Sequence, residues 1–171
     1  MITKSIIIIA LFLSACVGIP ENVQPVEHFD LERYLGKWYE IARMDHSFAE
    51  GLTNVTIEYT LRKDGGIRVI NRGYSEIEKK WKEDEGKAFF VKEADRGFLK
   101  VSFFGPFYGS YIVFDLDVEN YQYSAISGPD KSFMWILARS PKISKKIQNT
   151  VLAKAKSLGF ETDKLIFVKQ D

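Results

Sequence analysis

The stretch YLGKWYEIAR, residues 34–43, sets a glycine, a tryptophan and an arginine within one strand-like run. Gly36 and Trp38 stand two residues apart near its start, and Arg43 ends it. A tryptophan at the head of a strand can be an ordinary core residue, or it can be one half of a contact with a distant part of the chain. Which of the two applies to Trp38 depends on the strands that follow.

Beyond residue 43 the chain alternates between short strand-like runs and turn-forming residues, at a spacing of about ten residues. The alternation is clearest where Val55, Ile57 and Tyr59 share one face and polar residues share the other. This pattern is typical of an antiparallel sandwich or barrel. Eight strands are predicted: KWYEIAR (37–43), VTIEYTLR (55–62), IRVINRGY (67–74), GKAFFV (86–91), FLKVSFF (98–104), SYIVFDL (110–116), YQYSAIS (121–127) and FMWILAR (133–139).

The segment after the eighth strand has helical periodicity. Its apolar side chains recur at helical spacing at Ile147, Val151 and Leu158. Ser140 or Ser144 can cap the first turn, and Gly159 suits the end. The run KLIFVK, residues 164–169, follows as a predicted last strand. Eight is also the strand number at which a closed barrel can hold one small ligand.

The first fifteen residues differ in composition from the rest, with one lysine and an apolar run from Ile6 to Leu13. The run is too short for a transmembrane helix, which needs about 20 apolar residues, and it fits the core of a secretory signal peptide. The tetrapeptide LSAC, residues 13–16, resembles the lipobox of bacterial lipoproteins. We therefore predict that residues 1–15 are removed, that the thiol of Cys16 carries a diacylglyceryl group, and that its new amine is acylated.

Cys16 is the only cysteine in the sequence, so no intramolecular disulfide can form. A free reactive thiol or an intermolecular disulfide is the weaker interpretation. Residues 16–27 contain two prolines and are predicted to be a tether between the lipid and the domain. Val17 follows the cysteine in place of aspartate, which by resemblance to Gram-negative lipoproteins favours the outer membrane, with the anchor at its periplasmic face.

Charges in the sequence nearly cancel, with 24 Lys and Arg against 23 Asp and Glu. Removal of residues 1–15 takes away Lys4 and changes the net charge from +1 to 0. Nucleic acid is not expected as a partner, because the chain lacks the basic excess that such binding needs. We expect membrane attachment to be covalent rather than electrostatic.

Three ordered motifs resemble those of the lipocalin family. GKW at residues 36–38 resembles the first motif, LDVENY at 116–121 the second, and WILARSP at 135–141 the third. They occur in the expected order, with the expected strands between them. The surrounding residues are most similar to the bacterial lipocalin subgroup, whose animal relative is apolipoprotein D.

This resemblance implies an all-β fold over residues 28–171: an eight-stranded antiparallel up-and-down barrel with one C-terminal helix outside it and a short final strand. In such a barrel the first and eighth strands are neighbours, so Trp38 and Arg139 can meet. A guanidinium stacked on an indole contributes roughly 0.5–2 kcal/mol. The loop at residues 44–54 is expected at the entrance. Structural closure of the other end is expected from Gly36, Trp38, Asp117, Tyr121 and Arg139.

Strand alternation predicts which side chains face the barrel interior. It does not separate a cavity wall from a packed core, and a slip of one residue reverses a whole strand. Glu40 and Asn71 are also expected inside, where a buried acid needs either a ligand head group or a structural hydrogen bond. Ala88 is placed on the same face. The candidate ligand-binding residues are Ala42, Val55, Ile57, Tyr59, Val69, Phe90, Leu99, Val101, Phe103, Tyr111, Val113, Trp135 and Leu137.

An apolar interior on a lipid-anchored chain predicts a carrier of a lipid-like molecule. The resemblance implies that the ligand is a fatty acid or a lysophospholipid, stored or transported for maintenance of the envelope, and that a homodimer can form.

Two alternatives remain open: a lipocalin-like envelope enzyme, and a structural envelope protein whose barrel is filled by its own side chains. Catalysis is not expected, because Cys16 is committed to the lipid and neither His28 nor His46 accompanies a nucleophile motif such as G-x-S-x-G. Two separated histidines make a poor zinc site, although one could ligate haem. We expect no catalytic residue, no metal and no cofactor.

Overall fold

The computed structural model describes residues 17–171, which form a closed eight-stranded antiparallel barrel with a ninth strand and a helix outside it. Each barrel strand pairs with the next, and β1 pairs with both β2 and β8, which closes the sheet. The predicted barrel is therefore confirmed. The barrel strands are β1 (Gly36–Arg43), β2 (Leu52–Leu61), β3 (Ile67–Ser75), β4 (Lys80–Phe90), β5 (Phe98–Ser102), β6 (Gly109–Leu116), β7 (Tyr123–Ser127) and β8 (Met134–Ala138).

The elements outside the barrel are α1 (Leu31–Tyr34) before β1, α2 (Lys145–Ser157) after β8, and β9 (Ile166–Phe167), which pairs with β1. The predicted C-terminal helix is confirmed. Its first turn is capped by Ser144, whose side chain accepts a hydrogen bond from the Ile147 amide, and Gly159 follows its end at φ +89°. Within residues 17–171, neither helix has the length and apolarity needed to cross a bilayer.

The two ends of the barrel are built differently. At the end where β1 begins, α1 and the segment before it lie across the opening: the Phe29 amide donates to the Asp95 carbonyl at 2.7 Å, and Tyr34 is buried inside. We call this the closed end. The opposite, open end carries the connections at residues 44–51, 76–79, 103–108 and 128–133.

Apolar side chains form two clusters. The inner cluster fills the barrel and includes Trp38 and Leu137. The outer cluster lies between the barrel wall and α2, where Val151 and Ala155 are fully buried. Because α2 covers the outer faces of β6, β7, β8 and β1, those strands are apolar on both faces, and their sequences alternate less than those of β2 and β3.

A bulge in β1 corrects one expectation from the sequence. The register between β1 and β8 shifts between Glu40 and Ala42, so Arg43 lies opposite the inward-facing Trp135. Ala42 packs with Ile41 in the outer cluster. The prediction that Ala42 faces the interior is therefore wrong, because alternation assigns faces only while the register stays constant.

Candidate functional site

A small cavity of about 10 Å³ lies inside the barrel next to the closed end. Seven of the ten side chains around it are apolar, and the other three are tyrosines. Both the sheet and α1 contribute to the wall of the cavity, so the cavity is part of the barrel interior and not a surface groove. The lining residues that the sequence predicted to face inward are Tyr59, Val69, Ala88, Leu99, Val101 and Tyr111.

The other predicted wall residues lie elsewhere in the interior. Val55 is buried in β2 beside Gly73. The remaining six belong to the inner cluster or pack against it, outside the lining of the cavity: Ile57, Phe90, Phe103, Val113, Trp135 and Leu137. Which of these side chains contact a ligand stays a prediction.

The segment before β1 supplies lining residues that the sequence did not predict: Phe29, Leu31 and Tyr34. The rings of Phe29 and Tyr34 lie 5.0 Å apart. The segment lacks strand periodicity, and α1 is too short to show a helical one. The sequence feature that could have located α1 is Asp30, a residue type common at helix N-caps. Its carboxylate caps α1 by accepting a hydrogen bond from the Arg33 amide at 3.3 Å.

Three tyrosine hydroxyls meet inside the barrel. The Tyr111 hydroxyl lies 2.8 Å from that of Tyr34 and 2.7 Å from that of Tyr59, and the Tyr34 hydroxyl is 3.1 Å from Ser124 Oγ. Burial raises the pKa of Tyr34 to about 12, and it raises the pKa of Tyr59 and of Tyr111 well above 10. The hydroxyls are therefore neutral and hydrogen-bonded to one another, so this part of the cavity requires no polar group from a ligand.

An ion pair between Glu40 and Arg43 is buried inside the barrel, toward the open end. Arg43 Nη1 lies 2.8 Å from Glu40 Oε1, and Nη2 donates to the Ala49 carbonyl in the β1–β2 connection. Burial raises the pKa of Glu40, and the charge and hydrogen bond of Arg43 oppose that shift. Glu40 therefore has a protein partner, which agrees with the structural one of its two predicted roles.

Asn71 faces the interior two residues beyond Val69 toward the open end, opposite Ile57 on β2. Its Oδ1 is buried and has no hydrogen-bond partner among residues 17–171, and the same holds for Arg43 Nε. A buried polar atom without a partner costs free energy, so Asn71 Oδ1 could accept a hydrogen bond from a ligand and Arg43 Nε could donate one.

The closed end joins Trp38 to Arg139. The guanidinium carbon of Arg139 lies 3.9 Å from the centroid of the Trp38 ring, which is fully buried. Arg139 also donates to the carbonyls of Lys37 at 2.9 Å and Arg33 at 2.6 Å. Gly36 has a φ of +89°, which a side chain would strain.

The β6–β7 turn completes this end. The Asp117 carboxylate accepts hydrogen bonds from backbone amides within the turn, at Asn120 and Gln122. The Tyr121 hydroxyl accepts one from the Asp30 amide at 2.9 Å, which ties the turn to α1. The structure thus brings all five predicted closure residues to the closed end.

The two histidines lie at opposite ends of the barrel. His28 is exposed next to Phe29 at the closed end, whereas His46 lies in the β1–β2 connection with its ring 5.5 Å from that of Trp135. Burial lowers the pKa of His46. Across the part of the chain that the structure describes, no cluster of His, Cys, Asp and Glu fits a metal ion. The predicted lipidation site, Cys16, and the predicted signal peptide lie outside the described residues.

Comparisons with known proteins agree with this geometry. Residues 29–170 match a family model described as a lipocalin-like domain. Outer membrane lipoprotein Blc of Vibrio cholerae is 54% identical over 165 residues, which cover 96% of each chain. Apolipoprotein D of Mus musculus is 33% identical over 122 residues, 67% of this chain and 63% of that protein.

A solved structure shows the same fold at low identity. Insecticyanin from the tobacco hornworm Manduca sexta superposes with a TM-score of 0.72 at 22% identity, covering 90% of this chain and 87% of that one. The name of the Vibrio cholerae relative agrees with the predicted outer-membrane location.

Proposed function

This chain belongs to the lipocalin family, and from that premise we propose that it is a lipid-anchored carrier of a lysophospholipid or a fatty acid. Lipocalins are binding proteins for small hydrophobic molecules, so the proposal concerns the ligand and the role in the envelope. One observation carries it: seven apolar side chains surround the interior cavity, and the tyrosine hydroxyls in its wall are already hydrogen-bonded.

The apolar lining of the cavity suits an acyl chain better than a polar ligand. The cavity of about 10 Å³ has room for about one water molecule, so the lining side chains would have to move apart as the chain enters. Each buried methylene contributes about 0.8 kcal/mol, so ten of them supply about 8 kcal/mol before the costs of association. The acyl chain would supply most of the affinity.

One atom nearer the open end favours a lysophospholipid over a fatty acid. Asn71 Oδ1 is a buried acceptor that lacks a partner within residues 17–171. The free glycerol hydroxyl of a lysophospholipid can donate to it, whereas an ionised fatty-acid carboxylate has no proton to donate. The charge of Arg43 is balanced by Glu40, so this region offers no unpaired cation, and Arg43 Nε, which has no partner within residues 17–171, can donate to an oxygen of either ligand.

Quenching of tryptophan fluorescence tests ligand binding. In a Trp81→Phe background, which removes an exposed indole, we expect a lysophospholipid with a brominated acyl chain to quench the interior Trp135 saturably. Asn71→Leu should weaken lysophospholipid binding about five- to tenfold, the value of one hydrogen bond, and leave fatty-acid binding nearly unchanged. Quenching by neither ligand would contradict the carrier function and favour a barrel filled by its own side chains.

Membrane attachment through Cys16 is the second part of the proposal. Cys16→Ser removes the thiol that would carry the diacylglyceryl group, so the protein should remain unlipidated and its mass should lack the acyl chains. Wild-type fractionation with membranes after this substitution would contradict the anchor. The proposed homodimer and the role in envelope maintenance rest on the family alone.

A further inference from the structure

Exposed apolar side chains collect at the open end of the barrel, on two neighbouring connections. Ile77 is 76% exposed in the β3–β4 connection, with Trp81 at 56% on the adjoining strand. Phe104 and Phe107 are 70% and 68% exposed in the β5–β6 connection. Single exposed apolar residues need no explanation, but several large ones grouped on a soluble surface mark a binding surface. We call these four residues the apolar rim.

Charges beside the apolar rim are largely compensated. Glu78 contacts both Lys80 and Lys82, and Lys79 lies 3.1 Å from Glu76. The hydrogen bonds from Lys80 and Lys82 lower the pKa of Glu78 to about 2. Since three lysines face two glutamates here, we expect the partner of this surface to be bound mainly by burial of apolar area.

The tether leads to the same end of the barrel. Near the closed end, the Val26 amide donates to the Val113 carbonyl, and the Val26 carbonyl accepts from the Gly97 amide. Further toward the N-terminus, the Gly18 carbonyl accepts a hydrogen bond from Ser110 Oγ at 2.6 Å. Ser110 is the second residue of β6 and stands three positions after Phe107. Position 16 lies two residues before Gly18 in the sequence, a span of at most about 7 Å.

We infer that the open end of the barrel docks on a phospholipid bilayer, with the apolar rim inserted at the interface and the mouth of the barrel facing the membrane. The inference rests on the proposed lipid anchor, because that anchor places membrane beside the β5–β6 connection. Indole and phenyl rings suit the interfacial zone, where such side chains insert to about 5–10 Å. The ligand then passes between bilayer and cavity without crossing water.

Site-specific labelling of the lipidated protein in phosphatidylcholine vesicles tests this orientation. Lipidation occupies Cys16, so Phe104→Cys introduces a single free thiol for an environment-sensitive fluorophore. The matched control is Leu61→Cys, since Leu61 is also exposed, at 57%, but ends β2 at the closed end. Nitroxide-bearing lipids should quench the label at position 104 and leave the label at position 61 accessible to aqueous iodide. Equal access of iodide to both labels would overturn the docking.

A second variant separates docking from ligand binding. Phe104→Asp with Phe107→Asp should slow uptake of lysophospholipid from vesicles about tenfold and change the affinity for monomeric lysophospholipid less than about twofold. Unchanged uptake would overturn the docking while leaving the carrier function intact. Loss of affinity for the monomeric lipid would show that the apolar rim serves another purpose. A change in oligomeric mass without slower uptake would show the same.

Discussion

The Arg139 guanidinium stacks on the Trp38 indole, with 3.9 Å between the guanidinium carbon and the ring centroid. The two residues come from opposite ends of the barrel sequence, one in β1 and one just after β8. Through its hydrogen bonds to the Arg33 and Lys37 carbonyls, Arg139 also ties α1 to the closed sheet. The tryptophan of the first motif is therefore held by the arginine of the third, on the side of the barrel away from the open end.

Replacement of Arg139 should affect stability more than ligand binding. We expect Arg139→Ala to lower the free energy of unfolding by about 2 kcal/mol, because it removes a cation–π contact and two hydrogen bonds. Arg139→Lys keeps the charge but lacks the planar guanidinium, so its free energy of unfolding should lie between those of the wild type and Arg139→Ala. Urea denaturation measures the stability and lysophospholipid titration the affinity. Loss of affinity with unchanged stability would contradict the structural role.

Removal of one partner of the buried ion pair should lower the free energy of unfolding more than removal of both. Arg43→Met leaves Glu40 buried without its cation, and we expect a loss of about 3–5 kcal/mol of unfolding free energy at neutral pH. Adding Glu40→Leu to Arg43→Met should restore most of that loss, because no buried charge remains. A double variant as unstable as Arg43→Met would show that packing of the arginine, and not the charge, is responsible.

The pKa of Glu40 predicts a pH dependence. Burial raises this pKa in the folded protein above its ordinary value of 4.5, so the folded state holds a proton that the unfolded chain has already released. The resulting stabilisation is fully present below the unfolded pKa and is lost as pH rises through the folded one. Wild type should therefore lose stability relative to Glu40→Gln as pH rises from the ordinary pKa of 4.5 through the raised pKa of Glu40 in the folded protein. A wild type that instead gains stability relative to Glu40→Gln as pH rises would mean that Arg43 outweighs burial.

The hydroxyl of Tyr111 links two other tyrosines, so its removal should destabilise the barrel. We expect Tyr111→Phe to lower the free energy of unfolding by about 1–3 kcal/mol, since it takes a hydrogen-bond partner from both Tyr34 and Tyr59. Tyr108→Phe, in the β5–β6 connection, is the control and should change stability by less than about 0.5 kcal/mol. Equal effects of the two substitutions would contradict a cooperative network.

The inner faces of β2 and β3 followed from the sequence because β3 and the part of β2 from Thr56 onward keep a regular register and expose their other face to water. There Arg68 and Arg72 form surface ion pairs with Glu85 and Glu83 on β4. Period-two alternation is reliable under those conditions. The order of the three motifs was likewise sufficient to predict the meeting of Trp38 with Arg139.

The partner of Glu40 did not follow from the sequence. Residues three apart in a regular strand face opposite sides, so Arg43 was not expected beside Glu40. The bulge in β1 turns Arg43 inward and Ala42 outward, and nothing in the local sequence signals it. Phe29, Leu31 and Tyr34 were missed for a different reason: they enter the barrel from a four-residue helix and the residues just before it, a segment too short to show periodicity.

The most direct test of the carrier function is the intact mass of the mature protein, purified from its own host under conditions that preserve noncovalent complexes. We predict one bound lipid per chain in the wild type and its loss in Val101→Trp, since Val101 lines the cavity. The control Lys100→Trp alters the adjacent residue, which faces outward beside Tyr108, and should retain the lipid. A wild-type protein without bound lipid, or equal retention by Val101→Trp, would contradict the account.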